Sequence, residues 1–356
     1  MKSKRVLYVD ISLQGHRSNY LKALVGINNQ SLALLPSMYE EAQCEQIVMT
    51  SGYDKKRSIK NYFKWIKEIQ QIAESKNVDC VHFLCGDVLY RFFGLGLNKI
   101  KKPIVVTYHH MLFEGLRDVS LKRIFNATDY GIVHTEYLKN ELEKRGIRNA
   151  KQLEYPVFNQ VELEDQTALK RRLNIPLDKI CIVAIGATAR YKGLDILLEA
   201  LKKVSNPFYL YVAGTQRDFS ATYIEDNTAT YRDSVKINID VEKLSDEEYM
   251  SALGVADIIV LPYRFEFDGA SGPMTEGVWA RKYIIGAAHG SMGRIIDKHK
   301  LGKTFQTENA DDLAKVLDEV LEQGLAWMPE AEHFRQQLTV ETFLEKNRIL
   351  YDLIVE

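Results

Sequence analysis

The segment that follows the apolar run at 258–261 combines residue types that could bind a phosphate group. Ser271 and Gly272 precede a proline, a pattern typical of a helix start, where the first N–H groups have no intrahelical acceptor and the helix dipole favours an anion. Asp268 and Glu276 flank this turn, so they could accept hydrogen bonds from hydroxyl groups at the two ends of a ligand that contains a diphosphate. The alternative is a capped surface helix with an acidic first turn, which the dipole also favours.

Arg190 and Lys192 occupy a second turn of this kind, which follows the apolar run at 180–185. Arginine offers a planar fork of donors and lysine a compact charge, so together they could neutralise phosphate oxygens without a metal ion. Basic residues on a loop are usually only solvated, and it is the position after a strand that favours a binding role. The sequence contains no Asp-x-Asp metal motif, and we expect no metal ion. If both turns lie at the carboxyl edge of one sheet, they can bind one diphosphate.

Apolar runs of strand length alternate with helical patterns along most of the chain. This alternation is typical of βαβ units with parallel, buried sheets. The predicted strands lie at 5–10, 46–49, 81–84, 104–108, 130–134, 180–185, 209–213, 235–239, 258–261 and 283–287, and the main predicted helices at 194–204, 246–253, 310–321 and 340–355.

The predicted fold class is α/β, with two doubly wound Rossmann-like domains facing each other across a cleft. The polar and acidic stretch 157–167 is interpreted as the linker. We therefore expect an N-terminal domain at 1–160 and a C-terminal domain at 161–339, with the last helix packing back on the first domain. The predicted apolar side of that helix consists of Phe343, Ile349, Leu350, Leu353 and Ile354.

Composition excludes several classes of protein. The 356 residues carry 47 Lys and Arg against 48 Asp and Glu, so no overall positive field attracts nucleic acid. No apolar run approaches the roughly 20 residues that span a bilayer. Residues 1–9 contain neither the apolar core nor the cleavage site of a signal peptide, so we expect none. We therefore expect a cytoplasmic protein, or one bound peripherally to the inner face of the membrane. The cysteines form no Cys-x-x-Cys pair, as expected for buried, reduced thiols: Cys44, Cys80, Cys85 and Cys181.

The segments 186–198 and 261–288 resemble signatures of a known enzyme family. They are similar to the patterns "G-R…K-G-(hydrophobic)-D-x-L-L-x-A" and "L-P-S/Y…E-x7-E" of the retaining GT-B glycosyltransferases of family 4 (GT4). The resemblance covers most of the second half of the chain and is thinner in the first half, where it depends on residues 14–16 and 109–110. Two positions depart from the pattern, since Ala187 replaces the usual arginine and Asp268 replaces the first glutamate.

The resemblance implies roles for residues of the two turns. It assigns Glu276 to the ribose hydroxyls and Asp268 to hydroxyls of the donor sugar. Ser271 and Gly272 would donate backbone N–H groups to the diphosphate. Lys192 would stabilise the departing nucleotide, together with Arg190.

In the first half, the resemblance places Gly15 against the phosphates, where a side chain would be in the way. It also places His109 beside the sugar at the reaction centre. His16 and His110 are weaker candidates for contacts with the sugar or the acceptor. For these histidines, polar packing within the protein or a fragment of a metal site stays an alternative.

The implied activity is metal-independent transfer of a hexosyl-type sugar, with retention, from a UDP- or GDP-linked donor to a glycan or lipid-linked hydroxyl. The donor is a substrate, and no cofactor is expected. The resemblance also suggests a part in cell-envelope or surface polysaccharide synthesis. Two alternatives stay open, namely a nucleotide-sugar epimerase of the same fold and a nucleotide-sugar-binding protein without turnover.

Residues 55–67 interleave six basic residues with aromatic and isoleucine side chains. On a helix, Ile59, Tyr62, Phe63 and Ile66 fall on one side, with lysines along its borders. Such a helix could lie on an anionic lipid surface, or it could face the core and leave a solvated rim of lysines. The lipid interpretation would favour a lipid-linked acceptor, whereas a soluble acceptor stays open.

Overall fold

A computed structural model describes residues 4–13, 16–109, 111, 113, 115–158, 164–242, 244–267, 269 and 271–354, without the side chain of His16. The chain forms two compact units. The first consists of Met1–Phe158 and Thr339–Glu356, and the second of Asn159–Leu338.

Within its described residues, the first unit contains a parallel sheet of seven strands in the order β3-β2-β1-β4-β5-β6-β7. Side chains of successive residues point to opposite faces of a strand, so Leu7 and Val9 pack into one apolar cluster and Val6 and Tyr8 into another. The elements are β1 (Val6–Val9), α1 (His16–Val25), β2 (Leu32–Leu35), β3 (Glu45–Val48), α2 (Ile59–Ser75), β4 (Cys80–Phe83), β5 (Ile104–Tyr108), α3 (Leu116–Asn126), β6 (Tyr130–Val133), α4 (Glu136–Lys144) and β7 (Ala150–Gln152).

The described part of the second unit contains a parallel sheet of six strands in the order β10-β9-β8-β11-β12-β13. Its elements are α5 (Gln166–Arg172), β8 (Ile180–Ile185), α6 (Leu194–Leu201), β9 (Phe208–Thr215), α7 (Ala221–Asn227), β10 (Val235–Asp240), α8 (Asp246–Val255), β11 (Ile258–Leu261), α9 (Gly272–Trp279), β12 (Tyr283–Ala287), α10 (Gly290–Lys298), β13 (Gly302–Phe305), α11 (Ala310–Gln323) and α12 (Pro329–Gln337).

The last helix, α13 (Val340–Ile354), belongs to the first unit. Its Tyr351 hydroxyl lies 2.7 Å from Nδ1 of His82, whose Nε2 lies 2.8 Å from the Thr107 hydroxyl. The predicted apolar side of this helix was wrong in part. Ile349 and Leu353 are 53% and 54% exposed, whereas Tyr351 is buried with Phe343 and Leu350.

Other differences from the sequence-based expectations are local. The strands β2, β7 and β13 were not predicted, and α5 begins inside the stretch interpreted as the linker, where Asp165 accepts the N–H of Ala168. Helix α2 begins at Ile59 with Ser58 as its N-cap, so residues 55–57 precede it. None of the helices in the described ranges is both long and apolar enough to cross a bilayer.

Candidate functional site

The two turns predicted to bind phosphate emerge side by side in the second unit. Strands β8 and β11 are parallel neighbours, with Ile258 paired to Ile182 and Ile259 to Val183. Their carboxyl ends therefore lie at the same edge of the sheet, which is where ligands bind in open α/β folds. The turn after β8 carries Lys192, and the turn after β11 leads to α9.

Lys192 lies where the two turns meet. A Cβ atom added to Gly186 would lie 2.9 Å from Nζ of Lys192 and 3.8 Å from Cγ of Pro273 in the first turn of α9. The same ammonium group is 5.6 Å from the ring centre of Tyr263. The Tyr263 hydroxyl in turn lies 3.3 Å from Oγ of Ser271. A cation, an aromatic ring and a helix N-terminus thus adjoin within one unit.

The ammonium group of Lys192 is largely removed from water. Burial lowers its pKa, and the nearby Tyr191 and Glu276 oppose that shift. Glu276 accepts a hydrogen bond from the Tyr249 hydroxyl. Burial, and then the charge of Glu276, raise the pKa of Tyr249 well above its ordinary value, so this tyrosine stays a neutral donor that orients the carboxylate.

The start of α9 is built as the sequence predicted. Ser271 is its N-cap and is buried, and its Oγ accepts the N–H of Met274 at 3.3 Å. A Cβ atom added to Gly272 would meet no heavy atom within 4 Å. Open space therefore adjoins the backbone at the positive end of this helix, where an anion is favoured.

Arg264 ties the two turns together. Its guanidinium donates to both carboxylate oxygens of Asp195, at 3.0 and 2.7 Å, and to the carbonyl of Arg190 at 2.7 Å. Gly193 allows the turns to approach, because a Cβ there would lie 1.9 Å from the carbonyl oxygen of Pro262 and φ is +68°. These contacts hold the Lys192 turn against the end of β11.

The side chain of Arg190 is exposed. Its backbone N–H donates to Asp218 at 2.7 Å, and its carbonyl accepts from Arg264, so its described contacts are made by the main chain. Ala187, which departs from the arginine of the pattern that the sequence resembles, lines a pocket with an empty volume of about 350 Å³, open solvent included. The lining residues are Ala184, Ile185, Gly186, Ala187, Thr188, Lys192, Leu194, Val212, Val260, Leu261, Pro262 and Tyr263.

In the first unit, His109 follows β5 and contacts a second histidine. Its Nε2 lies 2.9 Å from the carbonyl of Leu84, and its Nδ1 lies 3.2 Å from Nε2 of His134. Nδ1 of His134 lies 2.9 Å from the carbonyl of Leu153. The ring of Tyr20 packs against both imidazoles.

Four predicted site residues lie wholly or partly outside the described residues. Gly15, His110 and Asp268 are not described, and His16 is described only as the first residue of α1. Their assigned contacts with phosphate, sugar or acceptor stay predictions.

Sequence reasoning missed several residues that the fold brings to these sites. Tyr263 and Arg264 come two and three residues after the end of β11, so their position just beyond a strand end was a usable signal. His134 was also recognisable, since it ends a predicted strand next to the one before His109. Tyr249 lies on α8, and its contact with Glu276 across 27 positions has no local signature.

Comparison with known proteins shows similarity to glycosyltransferases. Residues 165–338 match the family model for "Glycosyl transferases group 1". An uncharacterized glycosyltransferase of Methanocaldococcus jannaschii is 23% identical over 313 residues, which cover 86% of this chain and 83% of that protein.

Two solved proteins share the fold over nearly their whole length. A glycosyltransferase from Rickettsia africae superimposes with a TM-score of 0.80 at 18% identity, covering 100% of both chains. Anabaena HepE in complex with UDP gives 0.77 at 13% identity, covering 98% of this chain and 99% of HepE. A structure of HepE in complex with UDP-glucose gives 0.70 at 14% identity, covering 96% and 98%.

Residues 165–338 belong to the group 1 glycosyltransferases. The chain as a whole has the GT-B fold, so the predicted fold class and the predicted resemblance to GT-B glycosyltransferases are confirmed. The family model covers the unit that contains Lys192, Ser271 and Glu276.

We predict that Arg264→Lys destabilises the second unit by about 1–3 kcal/mol, because lysine keeps the charge but loses the fork that binds Asp195 and the Arg190 carbonyl. Arg281→Lys is the matched control. Arg281 also makes two contacts with one carboxylate, that of Glu332, but its side chain is 58% exposed against 17% for Arg264. The control should change stability by no more than about 0.5 kcal/mol. Chemical denaturation measures both, and equal losses would contradict the prediction.

Proposed function

We propose that this glycosyltransferase moves a sugar from a nucleoside diphosphate donor to a hydroxyl group of a glycan or lipid-linked acceptor, with retention and without a metal ion. The observation that carries the proposal is the convergence of the Lys192 ammonium group, the N-terminus of α9 and Glu276 at one edge of the second sheet. HepE, which has the same fold, was solved with UDP and with UDP-glucose. A UDP-sugar is therefore the first donor to test, with a GDP-sugar as the second.

The groups that meet at this edge suit the transfer of a sugar from a diphosphate. When the bond between the sugar and the diphosphate breaks, negative charge develops on the departing diphosphate. Preoriented N–H groups and a cation placed against the diphosphate stabilise the transition state more than the ground state, and so they lower the barrier. In the proposal, Lys192 and the backbone at Ser271 and Gly272 bind the diphosphate. Glu276, oriented by Tyr249, accepts from the ribose hydroxyls.

The remaining roles extend this proposal. Arg190 would add a second charge to the departing nucleotide by turning its exposed side chain toward it. Asp268 would bind hydroxyls of the donor sugar, and His109 would lie beside the reacting sugar. Gly15 would leave room for phosphate, with His16 and His110 near the sugar or the acceptor.

Turnover tests this function. Purified protein is incubated with UDP- and GDP-sugars, with and without a panel of glycan and lipid-linked acceptors, and products are separated by mass spectrometry. We expect Lys192→Gln to lower kcat by about 10²–10³-fold, in line with the loss of one preorganised charge-stabilising group. Glu276→Gln should chiefly raise KM, because the ribose contact is present before and during the reaction. Lys303→Gln removes an exposed lysine that pairs with Glu319 in the same unit and should leave both constants unchanged.

Each other outcome has a definite meaning. Release of an altered sugar without acceptor would favour an epimerase, and tight nucleotide binding without any product would favour a binding protein. Full activity of Lys192→Gln would contradict the proposed site. Product anomers identified by NMR decide between retention and inversion.

Gly272→Ala tests the phosphate position by a separate route. Since the added methyl group would meet open space, unfolding free energy should stay within about 0.5 kcal/mol of the parent. The methyl group would stand where the diphosphate approaches the backbone, so we expect UDP to bind at least about tenfold more weakly, a loss of about 1.4 kcal/mol. Isothermal titration calorimetry measures the change. Unaltered affinity in a folded variant would show that the diphosphate binds elsewhere.

A membrane surface is the second partner that we propose, through residues 55–67. Tyr62 and Ile66 of the predicted lipid-facing side are buried in the core, whereas Ile59 and Phe63 are 54% and 42% exposed. All six basic residues of the segment are exposed around them. Two apolar side chains within a cationic surface fit an anionic bilayer, to which each nearby Lys or Arg contributes about 1 kcal/mol.

Co-sedimentation with vesicles tests this surface. We expect binding to vesicles that contain phosphatidylglycerol, weakening with salt, and much less binding to pure phosphatidylcholine. The double variant Ile59→Ser and Phe63→Ser should reduce binding about tenfold, by loss of buried apolar area. Ile349→Ser with Leu353→Ser, which removes two equally exposed side chains of α13, should not. Equal binding of both double variants, or none by the parent, would contradict the proposal.

A further inference from the structure

His109 and His134 form a pair at the carboxyl edge of the first sheet. They directly follow β5 and β6, which are parallel neighbours with Tyr108 paired to Val133. The rings lie 5.1 Å apart between centroids, and His134 is only 4% exposed.

All four ring nitrogens of the pair have close partners. Nε2 of His109 lies 2.9 Å from the Leu84 carbonyl, and Nδ1 of His134 lies 2.9 Å from the Leu153 carbonyl. The other two nitrogens, Nδ1 of His109 and Nε2 of His134, lie 3.2 Å from each other.

Counting protons across these contacts gives a definite result. A carbonyl oxygen only accepts, so the two nitrogens that face Leu84 and Leu153 must each carry a proton. A neutral imidazole has a single N–H group. In two neutral rings, both N–H groups would therefore donate to the carbonyls. The 3.2 Å contact between the rings would then join two lone pairs. A third proton, shared between the rings, turns this repulsion into a charge-assisted hydrogen bond.

We propose that His109 and His134 together hold one extra proton and one positive charge, and that His134 is a positioning residue that keeps His109 oriented and protonated. The functional half of this inference rests on the proposed function, in which His109 lies beside the reacting sugar. A cation held there favours the negative charge that develops on the departing diphosphate.

The surroundings suit a single delocalised charge. Two tyrosines pack against both rings, Tyr20 of α1 at 5.1 and 5.8 Å and Tyr155 at 6.3 and 5.2 Å. Burial raises the pKa of Tyr20, so this ring is neutral and supplies no counter-charge. The two carbonyls that accept from the rings offset part of the cost of burying the charge.

Ring-nitrogen NMR of the full chain, labelled with ¹⁵N-histidine, tests the proton count without any assay of activity. At pH 7 we expect three ring protons on the pair, with signals assigned by loss in the single variants His109→Gln and His134→Gln. Two ring protons, one on each neutral histidine, would overturn the inference. The ring protons are counted in spectra of the parent protein, and the variants serve only to assign them.

The pH dependence of transfer tests the positioning role. In His134→Gln the amide can still donate to Nδ1 of His109, but the shared proton is lost. We therefore expect kcat at pH 7 to fall about tenfold, with the decline in rate at rising pH shifted to lower pH, while UDP affinity stays unchanged. His333→Gln replaces an exposed histidine that contacts Gln337 and should keep the parent profile.

An identical pH profile for His134→Gln and the parent would overturn the positioning role. If the chain transfers no sugar to any acceptor but NMR counts three ring protons, the proposed function fails and the charged pair stands. If transfer is found and NMR counts two, the inference fails and the proposed function stands.

Discussion

The second unit contains a cation whose burial is unfavourable, the ammonium group of Lys192. The ammonium group of Lys192 is largely buried and adjoins the N-terminus of α9, which is itself the positive end of a dipole. Burial lowers the pKa of Lys192 although the charge of Glu276 opposes it, so one half-buried carboxylate does not repay the desolvation. A ligand with more than one negative charge would offset the desolvation of the Lys192 ammonium group. The site is thus electrostatically incomplete by itself, which is the property expected of a diphosphate-binding turn.

The surrounding contacts explain how so unfavourable an arrangement persists. Adjacent parallel strands bring the two turns to one edge, Gly193 permits their close approach, and the Arg264 guanidinium joins them through Asp195. Each of these interactions is made between parts of the chain itself. Folding therefore provides the free energy that holds Lys192 in place, and binding does not need to provide it again. Preorganisation of this kind is what makes charge stabilisation effective in a transition state.

Much of the fold followed from local pattern, and the exceptions have physical causes. The strands at 104–108, 180–185, 258–261 and 283–287 agree with the structure, because a continuous apolar run of this length bounded by turns is typical of a buried strand. The missed strands β7 and β13 lie at sheet edges and are only partly buried, so they lack an apolar signature. In α13, Asn347 and Tyr351 are buried while Ile349 and Leu353 are exposed. Partners such as His82, distant in sequence, decided that face.

The sequence by itself determined the alternation of strands and helices, the turns after β8 and β11 that lead to Lys192 and Glu276, and the cap formed by Ser271. Each of these depends on neighbours a few positions away. Tertiary structure decided which of those side chains meet. It placed Lys192 beside the start of α9 and left the Arg190 side chain exposed. It also brought the Tyr249 hydroxyl to Glu276 and His109 to His134. Strand order and side-chain direction set these contacts, and both depend on packing between segments that are far apart along the chain.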